Sequence, residues 1–413
     1  MLPPMISVAE ATRLVAATIR PLGTELLSLS LAAGRILHED LRADRDFPPF
    51  NRVAMDGMAL RYDALVAGQR EFLIAATQFA GQPPVTGTPA TAAVEIMTGA
   101  MLPAGLDTVI RYEDLLFRTD ETGQRHATVQ ALPPRAGHNV HRQAADRQCG
   151  ELLVPAGTRL EPAEMAVAAT IGAATVAVAR RPRLAVVGTG DELVPISAQP
   201  AAHQIRRSNA LMLQAAAWQA GAEADSFHFD DDPAVLHQEL PALLAGYDAV
   251  VLSGGVSMGK ADFLPEILQE LGVEQRFHGV AQRPGKPFWF GARAGGAVVF
   301  ALPGNPVSTF MNFYRYVQPW LQASQQPAGV AATGRGPVPA VLTAPIEFRP
   351  AMTHFLLVSL EYSPDGRLLA TPERAGGSGD MASLLTSGGF LELPPEMEHF
   401  PVGIVLPVWR FRE

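Results

Sequence analysis

Three short segments built from glycine, proline, serine and a few charged residues constrain this fold most. They are SGGVSMGKADF (residues 253–263), RPGKPFWFG (residues 283–291) and LPGNPVS (residues 302–308), and each adjoins an apolar run typical of a buried strand. A chain uses these residue types where its backbone must approach a ligand closely and hold a bend to do so. Three such turns in one unit indicate a single site for an anionic ligand.

Strands and helices alternate in the region that contains these segments. RLAVVGTG, DAVVLSGG and AVVFALPGNP are apolar runs that predict strands, and residues 209–220 predict a helix between the first two. This alternation predicts a parallel sheet, with ligands bound outside the carboxyl ends of its strands. All three segments fall at or near such ends. We therefore predict an α/β domain over residues 181–326.

The flanking sequence predicts three further parts. Short β-like runs separated by glycine and proline predict a β-rich module over residues 45–149, inserted into an elongated α+β domain made of residues 1–44 and 150–180. After a polar linker, short apolar runs and a Ser-Pro-Asp-Gly turn predict a small C-terminal β-barrel over residues 335–413. The predicted fold class is therefore multidomain α/β with a central parallel-sheet domain.

Composition excludes several classes of function. The formal net charge of −9 argues against a general nucleic-acid surface, because phosphate contacts come from clustered lysine and arginine. The one cysteine, Cys149, excludes an internal disulfide and a cysteine-based zinc site, and it fits a reducing cytosol. The first residues lack the basic flank of an export signal, and residues 163–179 fall short of the roughly 20 apolar residues of a membrane span. We expect a cytoplasmic protein.

Two segments nearly match nucleotide-binding loops, but each lacks a required residue. Gly254-x4-Gly259-Lys260 begins a phosphate-binding loop, yet Ala261 stands where a hydroxyl would hold Mg²⁺. Gly188-Thr-Gly190 begins a dinucleotide fingerprint, yet Leu193 occupies the position of its third glycine. These departures argue against a nucleotide hydrolase and a dinucleotide-binding enzyme.

Carboxylates follow the predicted strands of the α/β domain. Asp231 and Asp232, in FDDDP, and Asp262, beside the first glycine-rich segment, are each suited either to cap a helix or to face a bound phosphate. Two carboxylates at one sheet edge suit Mg²⁺, because this ion keeps several waters and takes one or two protein oxygens. Asp191 and Glu192 follow Gly190, where a surface turn and a functional role are both open.

The candidate cations lie in a stiff loop. Arg283 and Lys286 flank Pro284-Gly285, so both charges can be presented to one tetrahedral oxyanion; the alternative is two solvated charges on a turn. Ser308 lies near the start of a predicted helix, where it can cap the helix or join an anion site. In the inserted module, Asp56 and Thr98 lie beside glycines in what are by themselves ordinary turns.

The ordered set of motifs resembles the MoeA-type molybdopterin molybdenumtransferases, a family that includes the E domain of gephyrin. The motifs are AMDGMA, MTGAMLPAG, GTGDEL, SGGVSMGKADF, RPGKPFWFG and LPGNPVS, in the family's order. The resemblance implies a cytosolic homodimer of four-domain subunits, with the active site in a cleft shared across the dimer. It also implies partners from the molybdenum cofactor pathway, among them molybdopterin adenylyltransferase.

The resemblance also implies a reaction. The family binds adenylylated molybdopterin and molybdate, cleaves AMP from the pterin phosphate with Mg²⁺, and inserts molybdenum into the dithiolene. On the matching positions, Asp231 and Asp262 are expected to bind Mg²⁺, and Arg283, Lys286 and Ser308 are expected to hold molybdate. The positions expected to hold the pterin phosphate or to line the cleft are Ser253, Gly254, Gly255, Ser257, Pro303, Gly304, Asn305, Asp191, Glu192, Asp56, Thr98 and Asp146.

The chain departs from the family's pattern mainly in the inserted module. The family usually has serine at Val53, an aromatic residue at Met58, an acid at Lys260 and arginine at His141, while Ala144-Ala145 replaces Gly-Glu. The leading hypothesis is an active molybdenum insertase. The alternatives are a non-catalytic molybdopterin-binding or carrier paralogue and, last, a scaffold like the gephyrin branch.

Overall fold

The computed structural model describes residues 5–255, 263–330, 336–373 and 376–412. The described residues fall into two compact units. The first consists of Met1–Glu39, Ala156–Leu160 and Val176–Glu413, and the second of Asp40–Pro155 and Glu161–Thr175. The borders of the four domains predicted from the sequence stay a prediction.

The second unit, all of whose residues are described, is built on a mixed six-stranded sheet. The strands in spatial order are Thr108–Arg111, Gly57–Leu60, Ala92–Ile96, Glu71–Gln78, Arg125–Val129 and Leu115–Thr119. Side chains of strand Gly57–Leu60 alternate between two cores. Ala59 packs with Val94, whereas Met58 and Leu60 pack with Phe72 on the opposite face. Two short strand pairs and two helices complete this unit. The pairs are Arg52–Val53 with Val140–His141 and Leu41–Arg42 with Leu152–Val154, and the helices are Tyr62–Val66 and Pro162–Thr170.

The first unit starts with an amphipathic helix, Val8–Ala16, capped by Ser7, whose Oγ accepts the backbone N–H of Glu10 at 3.1 Å. The helical periodicity in the sequence continues to Ile19, but the regular helix ends three residues earlier. Strand Thr24–Ser28 pairs with Thr175–Ala179. Within the described residues, no helix has both the length and the apolar content needed to cross a bilayer.

The α/β part of this unit contains a six-stranded sheet among the described residues. In chain order its elements are β1 (Arg183–Thr189), α1 (Ser208–Gln219), β2 (Glu223–Phe229), α2 (Pro233–Gly246), β3 (Ala249–Ser253), α3 (Leu264–Glu270), β4 (Val273–His278), β5 (Trp289–Arg293), β6 (Val298–Leu302), α4 (Pro306–Asn312) and α5 (Gln318–Ser324). The spatial order is β2-β1-β3-β6-β5-β4, in which β2, β1, β3 and β6 are parallel and β5 and β4 are antiparallel to their neighbours.

The inner strands β1, β3 and β6 are apolar along most of their length because both of their faces are covered. In β1, Leu184 and Val186 belong to one core, whereas Ala185 and Val187 belong to the core on the other face. Alternate residues of a strand point to opposite faces, so a strand buried on both sides needs an unbroken apolar run. RLAVV and DAVVL are such runs, which is why the sequence indicated these strands.

Five strands close into a C-terminal barrel among the described residues. They are Thr353–Tyr362, Leu368–Pro372, Val338–Leu342, Val405–Arg410 and Gly389–Leu393, and the last pairs back with the first. The two-residue strand Gln282–Arg283 adds to the first of these in parallel. The predicted fold class, a parallel-sheet α/β domain with a β-rich module and a small C-terminal barrel, is therefore confirmed.

Candidate functional site

The carboxyl ends of the parallel strands lie level with one another. Thr189 at the end of β1 pairs with Phe229 at the end of β2. Gly188 pairs with Ser253, the last residue of β3, and Ser253 pairs with Leu302, the last residue of β6. The loops that leave these strands therefore start along a single edge of the sheet.

The antiparallel strand β5 begins at this edge and brings the cationic loop with it. Its first residue, Trp289, pairs with Ala301 near the end of β6. The predicted site residues gathered along the edge are Asp191, Glu192, Asp231, Ser253, Gly254, Gly255, Arg283, Lys286, Pro303, Gly304, Asn305 and Ser308. Ser257 and Asp262 lie outside the described residues, so their predicted roles stay predictions.

Glycine is required where the loop leaves β3. Gly254 has a φ of +107°, and a Cβ atom there would lie 2.8 Å from the carbonyl oxygen of Thr189. The next residue, Gly255, has a φ of +67°, and a Cβ atom there would lie 3.1 Å from Thr189 Oγ1. The backbone N–H of Gly254 donates to the carbonyl oxygen of Leu302 at 3.2 Å. The loop is therefore pressed against the end of β1 and fixed to β6, and it offers a ligand backbone rather than side chains.

The structure separates the roles of the two acids before α2. Asp232 caps the helix, because its Oδ1 accepts the backbone N–H of Ala234 at 2.8 Å. Asp231 is oriented through its backbone N–H, which donates to Asp191 Oδ1 at 3.2 Å. The carboxylate of Asp231 is therefore not used in the cap that the sequence alone left open to both residues.

Negative charges accumulate around Asp231. Partial burial of this carboxyl, and then the charges of Asp191 and Glu192, raise its pKa above the ordinary aspartate value, while Thr189 and His228 act in the opposite direction. The Glu192 carboxylate folds back over Gly190, where a Cβ atom would lie 2.6 Å from Glu192 Oε2. Carboxylates held close enough to repel one another favour binding of a cation between or beside them.

These carboxylates form a donor set suited to Mg²⁺ and not to a fully protein-ligated metal. Within the described residues, no group of three or more His, Cys, Asp or Glu side chains is arranged to hold a metal ion. Mg²⁺ takes one or two carboxylates and completes its shell with water and substrate phosphate oxygens. The oxygen-only chemistry at Asp231 fits that requirement, with the second predicted ligand, Asp262, outside the described residues.

A buried amide pair fixes the cationic loop. Gln282 is 1% exposed, and its Nε2 donates to the carbonyl oxygen of Gly285 at 3.0 Å and to Asn312 Oδ1 at 2.8 Å. Asn312 is fully buried at the end of α4, and its Nδ2 donates to the carbonyl oxygen of Ser308 at 2.9 Å. The hydroxyl of Tyr316 donates to Gln282 Oε1 at 2.7 Å. This network ties the cationic loop to the helix that carries Ser308.

The two cations of the loop remain accessible. The side chains of Arg283 and Lys286 are exposed at either side of Gly285, whose φ of +83° produces the bend between them. Because the backbone between them is held by buried groups, both side chains start from fixed backbone positions. The loop backbone therefore loses little conformational freedom when an oxyanion binds.

Arg283 has aromatic neighbours that the sequence did not indicate. Its guanidinium carbon lies 5.9 Å from the ring centroid of Phe348, and that ring packs against the imidazole of His354 with centroids 4.3 Å apart. Burial, and then the charge of Arg283, lowers the pKa of His354 to about 4. His354 is therefore neutral near pH 7, and Arg283 carries the charge. No local pattern signals this contact, since parallel pairing aligns Arg283 with His354.

The loop after β6 is held mainly by its own backbone and by Ser378. Asn305 Nδ2 donates to Ser378 Oγ at 2.9 Å, and the backbone N–H of Val307 donates to the carbonyl oxygen of Ser378 at 3.0 Å. Ser308 is 3% exposed, so its hydroxyl lies below the surface of the loop. Its predicted contact with an oxyanion stays a prediction.

In the second unit, the predicted residues form two separate contacts. Asp56 Oδ1 accepts the backbone N–H of Thr98 at 2.6 Å and the hydroxyl of Thr98 at 2.7 Å, and these bonds lower the pKa of Asp56. Asp146 Oδ1 lies 2.9 Å from Nε2 of His141, whose Nδ1 lies 3.3 Å from Arg52 Nη2. His141, which departs from the family's arginine, thus still pairs with the predicted acid.

Comparison with known protein families accounts for most of the chain. The MoeA N-terminal region (domain I and II) matches residues 6–172, a probable molybdopterin binding domain matches residues 185–323, and the MoeA C-terminal region (domain IV) matches residues 339–411. The molybdopterin molybdenumtransferase of Synechocystis sp. is 35% identical over 410 residues, covering 98% of this chain and 100% of that protein. The protein of the same name from Bacillus subtilis is 32% identical over 420 residues, covering 99% and 94% respectively.

Solved structures agree with these matches. The molybdopterin biosynthesis MoeA protein from Pyrococcus horikoshii superimposes with a TM-score of 0.84 at 31% identity, covering 99% of this chain and all of that one. The fold and these matches define a multidomain α/β enzyme with a probable molybdopterin-binding domain. More specifically, the chain belongs to the MoeA family of molybdopterin molybdenumtransferases, as the motifs indicated.

Proposed function

We propose that this protein is a molybdenum insertase, which hydrolyses adenylylated molybdopterin with Mg²⁺ and transfers molybdenum from molybdate into the dithiolene. The observation that carries the proposal is the meeting of an acidic loop, a glycine loop and a cationic loop at one sheet edge. The name molybdopterin molybdenumtransferase, carried by relatives that match the chain along its length, supports the same reaction.

The glycine loop would bind the terminal phosphate of the pterin. The backbone of this loop can approach a phosphate closely because Gly254 and Gly255 have no side chains to stand in the way, and Ser253 adds a hydroxyl at the strand end. The N–H of Gly254 is already used to hold the loop to Leu302. Binding therefore falls to Gly255 and to the residues that follow, among which the sequence assigns Ser257.

The acidic loop would hold the magnesium ion. Asp231, together with Asp262, would supply carboxylate oxygens. Asp191 accepts the backbone N–H of Asp231, and the charges of Asp191 and Glu192 would help attract the cation. A bound Mg²⁺ supplies charge neutralisation on the phosphate oxygens and a more acidic water. The negative charge around Asp231 would also disfavour binding of the anionic adenylylated substrate in the absence of Mg²⁺.

The cationic loop would hold molybdate next to the pterin. Arg283 and Lys286 are separated by a bend that the buried Gln282–Asn312 pair fixes, so their charges can converge on a tetrahedral dianion. Both side chains are exposed, which suits an anion that must bind firmly and still be released into the next step. His354 stays neutral beside Arg283 and adds no competing charge at neutral pH.

The oligomeric state, cellular location, partner enzyme and domain borders are proposed from family membership. We propose a cytoplasmic homodimer that receives its substrate from molybdopterin adenylyltransferase, with the four domains divided as the sequence predicts. Size-exclusion chromatography with light scattering on the purified protein would test the dimer, and a monomer at micromolar concentration would contradict it.

The test of the reaction uses purified protein, adenylylated molybdopterin, molybdate and Mg²⁺. AMP release and reconstitution of an apo-molybdoenzyme are followed in the same reaction, with and without EDTA. We expect both signals, and EDTA should abolish AMP release. Tight pterin binding without AMP release would instead support the carrier hypothesis.

A matched pair of variants locates the chemistry. Asp231→Asn should reduce AMP release by at least about tenfold, because a carboxylate that binds the cation is lost. Asp232→Asn changes the adjacent carboxylate, which caps α2, and asparagine caps a helix as well as aspartate does. Its AMP release should therefore match the wild type. Equal rates for the two variants would contradict the role of Asp231.

A further inference from the structure

One side chain outside the predicted set joins two of the loops at the sheet edge. Asn209 lies in the first turn of α1, and its Nδ2 donates to Ser253 Oγ at 3.0 Å and to the carbonyl oxygen of Gly304 at 2.7 Å. These acceptors belong to the end of β3 and to the loop after β6. A single amide nitrogen thus links two loops that come from different strands.

The two loops that Asn209 joins are in close contact. A Cβ atom built on Gly304 would lie 3.7 Å from the Cα of Gly254, and Gly254 itself is bound to Leu302 at the end of β6. The separation of the two backbones therefore depends on small residues and on the amide that spans them. A change of this separation would move the N–H groups of the glycine loop.

A carboxamide meets the requirements of this position, and a carboxylate does not. The Nδ2 group has two hydrogens, one for each acceptor, whereas a carboxylate would set an oxygen against the carbonyl oxygen of Gly304. The other half of the amide is unused, because Asn209 Oδ1 is buried and has no hydrogen-bond partner among the described residues. A buried acceptor without a donor is costly unless a ligand supplies one.

We infer that Asn209 is a positioning residue of the pterin-phosphate site, which sets the distance between the glycine loop and the loop after β6 and offers its Oδ1 to an N–H or O–H of the bound pterin substrate. The inference rests on the proposed function, since it names what holds that site in shape. It concerns binding of the pterin, because both acceptors, Ser253 and Gly304, are among the positions predicted to hold the pterin phosphate or to line its cleft.

The test compares Asn209→Ala and Asn209→Asp with a control on the same helix. Gln214→Ala is the control, because Gln214 Nε2 also donates to a backbone carbonyl, that of Ala224 at 2.7 Å, at the start of β2. The dissociation constant for adenylylated molybdopterin is measured by fluorescence without Mg²⁺. Steady-state AMP release then gives the KM for the pterin and the half-saturating molybdate concentration, and thermal unfolding is recorded for each variant.

Both Asn209 variants should raise the dissociation constant and the KM for the pterin about tenfold, as expected for the loss of two or three hydrogen bonds. The molybdate requirement should stay within about twofold, and the melting temperature should resemble that of Gln214→Ala. An unchanged pterin affinity, or equal losses for pterin and molybdate, would overturn the inference.

The same measurements separate this inference from the proposed function. Wild-type protein that binds the pterin but releases no AMP would contradict the insertase proposal, while the affinities of the variants would still decide the role of Asn209. Wild-type protein that binds no pterin would overturn both.

Discussion

Replacing Gly285 by alanine tests whether the buried amide network positions the cationic loop. The φ of Gly285 is +83°, and a Cβ atom would lie 2.3 Å from Asn312 Nδ2 and 3.2 Å from Gln282 Nε2. An L-residue in the left-handed region costs about 1–2 kcal/mol. The Asn312 amide must also move, and a buried amide that loses a partner costs about 1–3 kcal/mol. We expect the free energy of unfolding to fall by about 3 kcal/mol in total.

Gly272→Ala supplies the matched control for this variant. Gly272 follows α3 with a φ of +79°, and no described heavy atom lies within 4 Å of a Cβ atom built there. The control therefore carries the backbone strain without the collision, and its free energy of unfolding should fall by about 1 kcal/mol.

The assay combines urea unfolding with molybdate titration of cofactor synthesis. Gly285→Ala should need a several-fold higher molybdate concentration for half-maximal synthesis, because Arg283 and Lys286 lie on either side of the displaced backbone. Gly272→Ala should keep the wild-type requirement. Equal destabilisation of the two variants, or an unchanged molybdate requirement in Gly285→Ala, would refute the proposed role of the network.

Two pH-dependent effects are expected, one at Asp231 and one at His354. The pKa of Asp231 is raised in the folded state, so its ionisation opposes folding. Asp231→Asn should therefore increase the free energy of unfolding near pH 7 by about 0.5 kcal/mol or less at this partly exposed site. The gain should vanish as the pH falls below 3.8. The pKa of His354 is lowered from 6.5 to about 4, so its contribution to stability is complete above pH 6.5 and is lost as the pH falls through about 4. His354→Gln should flatten this loss in urea unfolding measured across that range.

Exposed residues provide the controls for these titrations. Asp232→Asn, in the helix cap, and His399→Gln, at a histidine side chain that is 80% exposed, should leave the corresponding pH profiles unchanged. A pH profile that is the same for His354→Gln and for the wild type would show that burial of His354 does not depress its pKa.

Much of the fold follows from short stretches of sequence. The run 184–187 alternates between two cores, so the uninterrupted apolar pattern was enough to indicate a strand covered on both faces. Gly254 and Gly285 adopt positive φ values, as their glycine- and proline-rich segments suggested. The level strand ends then followed from the alternation of strands and helices, because parallel strands share one carboxyl edge.

The helix cap before α2 and the end of the first helix could not be predicted from local sequence patterns. Asp231 and Asp232 are adjacent and have the same side chain, so spacing could not decide which one caps α2. The tertiary structure decides which residue is the cap. The backbone N–H of Asp231 donates to Asp191, 40 residues away, while Asp232 accepts the N–H of Ala234. The first helix likewise ended before its periodicity did, because periodicity records which face is apolar and not where the backbone bonds stop.

The sequence by itself determined the strands, the glycine loops, the charged residues at the strand ends and the family. Only the tertiary structure decided which side chains support them. Asn209 contacts residues 44 and 95 positions away, and Gln282 contacts Asn312 across 30 positions. Local steric and hydrophobic patterns act over a few residues, whereas such contacts are set by strand register and helix packing, which depend on the whole chain at once.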